Sequence, residues 1–78
     1  MTRPLYEIAT EIENNWERVN YAARPYLDAM HHVSGIRDTY YHDSCETVVM
    51  YFLANAATWR GDVARRVKAE LNARLRDL

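Results

Sequence analysis

The stretch DSCETVVMYFLANAAT, residues 43–58, decides the fold. Past Thr47 it carries no formal charge as far as Trp59. Wound at about 100° per residue, its apolar side chains point in nearly every direction, and a helix hydrophobic all round is a buried helix. The rest of the chain is therefore expected to cover it. Asp43 with Glu46 three residues on resembles a capping box and predicts a helix start at Asp43 or Ser44. Cys45, Val48, Val49, Phe52 and Ala56 form the main stripe, with Met50, Tyr51, Leu53 and Ala54 on its flanks. Asn55 is the expected left-handed terminator and Thr58 the expected N-cap of the last helix. The alternative is that the helix of this stretch runs to Ala57 and breaks at Gly61, with Asp62 as the next cap.

On the N-terminal side, Leu5, Ile8, Ala9, Ile12, Trp16 and Val19 recur at three- and four-residue spacing, which predicts an amphipathic helix over 4–19 with Pro4 in its first turn. Glu7 with Glu11 and Glu13 with Glu17 place like charges four apart, an arrangement that suits a solvated face or a basic neighbour. The period lapses over 20–24, and Pro25 biases the residue before it away from helical angles. A second helix is expected over 25–33, carrying Tyr26, Leu27, Met30 and Val33 and closing at Gly35. RDTYYH, residues 37–42, has no clean period and reads as a loop with at most one helical turn.

On the C-terminal side, Trp59, Val63, Val67, Leu71 and Leu75 repeat every four residues, predicting a helix over 59–76. A repeat of four overshoots the helical period by about 40° per step, so this helix should cross its neighbours obliquely. Asp62, Arg66, Glu70 and Arg74 form a charge ladder of alternating sign at the same spacing. The expected architecture is all-α: a compact four-helix domain spanning 1–78, with a buried central third helix (44–56) and an obliquely packed C-terminal helix.

Composition narrows the function classes. The chain has 78 residues, 49% hydrophobic and 27% charged, with a net charge of −1. That balance argues against disorder and against a strongly basic nucleic-acid binder. One cysteine precludes an internal disulfide framework and suits a reducing compartment. The N-terminus turns acidic where a signal peptide needs an apolar core, and the longest apolar run is about half the ~20 residues of a bilayer crossing.

Four candidate sites remain. His31, His32, His42 and Cys45 carry zinc-selecting donors at two element ends, but their spacing matches no zinc pattern. The expectation is no metal and no cofactor, with Cys45 a small buried hydrophobe. Cys45 with His42 has the elements of an activated thiol, yet no orienting acid is identifiable and so small a domain lacks room for a substrate pocket; no enzyme activity is expected. Residues 59–78 carry Arg60, Arg65, Arg66, Lys68, Arg74 and Arg76 against three acids, a local net of +3, while residues 1–58 sum to −4. Such asymmetry suits phosphate contact, although Trp59 and Val63 occupy the stripe where a recognition helix needs base-reading side chains. Finally, six tyrosines, two tryptophans and abundant arginine are the residue types enriched at protein interfaces. Trp16, Trp59 and Tyr51 are expected in the core. Tyr40, Tyr41, Arg60, Arg65 and Lys68 are the expected partner contacts.

The segments YFLANAATWRGDVARRVKAEL, LYEIATEIENNW and RPYLDAM give the chain a resemblance to small uncharacterised helical proteins of actinobacteriophages and actinobacterial genomes. The resemblance transfers no catalytic or binding residue. It implies life in the cytoplasm of a bacterial host and action by binding a host protein or a regulator. The reading is thus a non-enzymatic protein-binding module, with self-association its simplest form and nucleic-acid binding through the last helix the alternative.

Overall fold

A computed structural model describes residues 3–35, 39–40 and 43–76. Four helices follow one another: α1 (Leu5–Asn15), α2 (Arg24–Met30), α3 (Cys45–Ala54) and α4 (Asp62–Arg76). Ahead of α3, β1 (Thr39–Tyr40) and β2 (Asp43–Ser44) pair antiparallel, Thr39 with Ser44 and Tyr40 with Asp43. This two-residue pairing stands where the sequence allowed a helical turn. The Cα radius of gyration, 11.2 Å, matches the roughly 11.5 Å expected of a compact chain of this length.

Leu5, Ile8, Ala9 and Ile12 line the buried face of α1 as their spacing predicts. Pro4, at the N-cap, supplies no side-chain cap; the carbonyls of Ser34 and Val33, from the turn after α2, accept instead from the N–H groups of Leu5 and Tyr6. The end of that turn thus satisfies α1's first orphan donors. The helix stops at Asn15, four residues short of the expected 4–19, because Trp16 adopts extended angles (φ −116°, ψ 93°). Asn20 shapes the following turn, its side-chain oxygen accepting from Ala22 N–H and its carbonyl from Ala23 and Arg24. The second helix, expected over 25–33, covers Arg24–Met30.

Ser44 caps α3, with its hydroxyl accepting from Thr47 N–H at 3.2 Å. The cap is a Ser-x-x-Thr arrangement; the side chain of Asp43, which the sequence pairs with Glu46, lies outside the described residues. Asn55 ends the helix at φ −108°, ψ 12°, not in the left-handed region. Between α3 and α4 the chain turns through Gly61 at φ 113°, a conformation that glycine adopts without steric cost. The Gly61 carbonyl accepts from Arg65 N–H, so α4 starts at Asp62, three residues later than the preferred reading; the break falls at Gly61 as in the alternative, but α3 ends at Ala54 and not Ala57, and Asp62 is the first helical residue rather than the cap.

The core draws on all four helices, and no polar or charged residue is buried among the described residues. Cys45, Val48, Val49 and Phe52 of α3 occupy its middle. The largest helix–helix contact is α2 on α3; α1 packs on α2 and α4. In α4 the fully covered positions are Ala64, Val67 and Leu71, while Val63 and Leu75 lie at the margin. A four-residue stripe that drifts off the contact at both ends is what an oblique crossing requires.

Both tryptophans stand outside the helices. Trp16 stacks on Trp59 (centroids 5.6 Å apart, planes at 12°) and meets Phe52 edge-on at 6.1 Å. Trp59 Nε1 donates to the Asn15 carbonyl, Lys68 Nζ donates to the Trp59 carbonyl at 2.7 Å, and Asn20 Nδ2 donates to the Asn55 carbonyl. The connections after α1 and α3 are thereby joined at one end of the core.

Candidate protein-contact face

The polar surface is largely occupied with holding helices together. Glu11 receives Arg3 and Arg66, and Glu70 receives Arg3 through two bonds of 2.9 and 3.0 Å. Arg74 donates to the Arg3 carbonyl. The alternating ladder of α4 is therefore turned mainly onto the N-terminal segment rather than closed within its own helix. Hydrogen bonds from Arg66 first, then Arg3, hold the Glu11 carboxyl below the usual range, and the bonds it donates to Glu70 raise the Arg3 guanidinium above its own. Across α1 and α2, Glu13 is gripped by Arg24 and lies 3.3 Å from His31 Nε2. The basic neighbour that suits helix one's glutamates is present for Glu11 and Glu13, whereas Glu7 and Glu17 are exposed.

This assigns the expected contact residues. Lys68 is committed to the Trp59 carbonyl and Arg65 to Asp62. Arg60 is exposed and has no hydrogen-bond or ion-pair partner among the described residues. The side chain of Tyr40, and Tyr41 altogether, lie outside the described residues, as does His42. Four of the six cations of residues 59–78 thus make intrachain contacts. Among the described residues no three His, Cys, Asp or Glu side chains are grouped to hold a metal; His31 pairs with Glu13, His32 is exposed and Cys45 is fully buried. On the outer side of α1, Tyr6, Glu7, Thr10, Asn14 and Asn15 line a depression of about 540 Å³. Its remaining carboxylate, Glu11, is saturated by the two arginines.

Among the described residues the large exposed hydrophobics are Tyr6, Tyr21, Met50 and Tyr51, and the last two lie together on the outer side of α3. At 100° per residue, Cys45, Val48, Val49 and Phe52 fall within one arc of about 100°, facing the core. Glu46, Met50 and Ala54 form the exposed row opposite, flanked by Thr47 and Tyr51 on one side and Leu53 on the other. Met50 is 54% exposed and Tyr51 52%. The Tyr51 ring leans on Tyr26 of α2 (5.5 Å, 31°), extending the apolar surface onto the neighbouring helix. Tyr51 is therefore not a core ring, as the sequence suggested, and α3 is covered on one side only. A tyrosine carries about 200 Å² of surface, so Met50 and Tyr51 each leave on the order of 100 Å² of mostly apolar area in water. The helical row Glu46–Met50–Ala54 did hold a signal, because an unpaired carboxylate on a stripe marks that stripe as outward.

The arrangement defines a small all-α domain with an apolar face of α3 exposed. No protein-family model, curated protein or solved structure matches the chain. No helix among the described residues is long and apolar enough to cross a membrane.

Proposed function

We propose that this is a non-enzymatic protein-binding module that works through the outer face of α3 and the adjoining Tyr26. The observation that supports this reading is the exposure of Met50 and Tyr51 on a helix with no charge between Thr47 and Trp59. Apolar rings and methionine, grouped and rimmed by charge, are the surface a protein partner covers. The resemblance to actinobacteriophage proteins supports activity in a bacterial cytoplasm, in contact with a host protein, a regulator or another copy of the chain. Tyr26, Met50, Tyr51 and Ala54 become the central contacts, with Arg60 at the rim. The engagement of Arg65, Arg66, Lys68 and Arg74 within the chain weighs against nucleic acid as the principal ligand.

The test is affinity purification from bacterial cells that also express an untagged copy, with and without nuclease. Tagged wild-type protein, Met50→Glu and the Tyr40→Ala/Tyr41→Ala double variant serve as baits. Proteins recovered with the wild type and the double variant, resistant to nuclease and lost with Met50→Glu, support the reading. Identical recovery with Met50→Glu rules out the α3 face, and recovery that nuclease abolishes points instead to nucleic acid.

A further inference from the structure

Resting on that protein-binding reading, we infer that the occupant of the α3 face is a second copy of this chain, paired antiparallel about a two-fold axis near Met50 and Ala54. The face is its own complement in charge. Glu46, in the first turn, is the one charged residue of α3; it is exposed and has no partner among the described residues. Past the other end of the helix the next charge is Arg60, likewise exposed and without a partner among the described residues. Two successive turns, Ala56 N–H to the Leu53 carbonyl and Trp59 N–H to the Ala56 carbonyl, lead from the end of α3 to Arg60. Between these two charges lie only uncharged residues.

Laid antiparallel, two such helices set each Glu46 toward the other copy's Arg60 and put Met50 and Tyr51 of each copy toward the Ala54 end of the other. Laid parallel, they set glutamate against glutamate and arginine against arginine. A two-fold interface uses the same patch twice, so a surface with opposite charges at its ends and an apolar middle satisfies itself only in the antiparallel sense. The helix dipoles oppose in the same arrangement. Ala54, small and exposed at the C-terminal end of the row, lets the two backbones approach. Met50 and Tyr51 together expose on the order of 200 Å² per copy, so with the neighbouring side chains the interface lies at or below the lower limit of a specific one. The dimer is accordingly expected in the micromolar range rather than the nanomolar.

Sedimentation velocity of the purified chain from about 5 to 500 μM reads this directly. Wild type is expected to pass from monomer to dimer across that range. Met50→Glu, which buries a carboxylate from each copy, should weaken association by at least about 100-fold. Arg60→Glu should weaken it about tenfold, and Glu46→Arg combined with Arg60→Glu should recover the wild-type constant to within about threefold. All three positions are exposed, and the near-UV circular dichroism of the stacked Trp16–Trp59 pair checks that each variant is folded. A wild type that stays monomeric at about 500 μM, or a dimer indifferent to Met50→Glu, overturns the inference. So does a charge-swapped double variant no better than Arg60→Glu, because the antiparallel register requires rescue. A monomeric wild type whose co-purified proteins still depend on Met50 would leave the protein-binding reading standing while removing the second copy as its occupant.

Discussion

Replacing Phe52 by Ala tests the inside–outside assignment of α3 at its most sensitive point. Phe52 is completely buried and takes the edge-on contact of Trp16 at 6.1 Å. Truncating a buried phenylalanine costs about 3–5 kcal/mol in lost transfer energy and cavity, of which the aromatic contact is roughly 0.5–1.5 kcal/mol. A chain of 78 residues has about 4–12 kcal/mol of stability in total, so Phe52→Ala removes about a quarter or more of it. With a urea slope near 1 kcal/mol per molar, the midpoint falls by about 3 M or the fold is lost outright. Phe52→Leu keeps most of the volume and should lower the midpoint by about 1 M. Met50→Ala, two positions back on the outer row, should change stability by less than about 0.5 kcal/mol because Met50 is 54% exposed. The assay is urea unfolding followed by far-ultraviolet circular dichroism at a few micromolar, where self-association adds little stability. If Met50→Ala proves as costly as Phe52→Leu, or Phe52→Ala costs less than about 1 kcal/mol, the assignment of the two faces is wrong.

Two further outcomes concern the helix ends and the charge network. Ser44→Ala should cost about 1 kcal/mol by removing the bond to Thr47 N–H, while Glu46→Gln should cost less than half of that, since the cap bond is made by Ser44 and Glu46 is exposed; urea midpoints compare them. Glu11, held below the usual carboxylate range by Arg66 and Arg3, binds its proton more weakly folded than unfolded. Its contribution is present above the unfolded pKa of about 4.3 and is lost as pH falls through the lower folded value; with the site partly solvated it amounts to no more than about 1 kcal/mol. Glu11→Gln should therefore flatten the acid limb of stability measured between pH 7 and pH 3, and salt should shrink the difference.

Local periodicity carried the helices but not their ends, and the two tryptophans show why. Trp16 continues the spacing of Ile8 and Ile12, and Trp59 that of Val63 and Val67, so each reads as one more helical position. Both are buried all the same, because each stands in a connection that turns inward and stacks on the other. Burial is what the spacing reports; the backbone conformation that achieves it depends on a contact 43 positions away in the chain, which no local pattern contains. Gly61, with its positive φ, was the better marker of where α4 begins.

The face of α3 obeys the same logic at a larger scale. Its composition predicts coverage on all sides, and a chain of 78 residues cannot provide it: small domains bury only about 60% of their surface. α2 takes most of one side, α1 is spent on α2 and α4, and α4 reaches α3 over a short contact. Met50 and Tyr51 remain outside, although they are as apolar as the residues within. Solvation alone does not require such residues there, since polar side chains on the same row would leave the core unchanged and cost no helix stability. An uncharged outer row that the chain cannot cover by itself is the physical ground for a partner, and Glu46 and Arg60 at its two ends fit that partner to be another copy of the same surface.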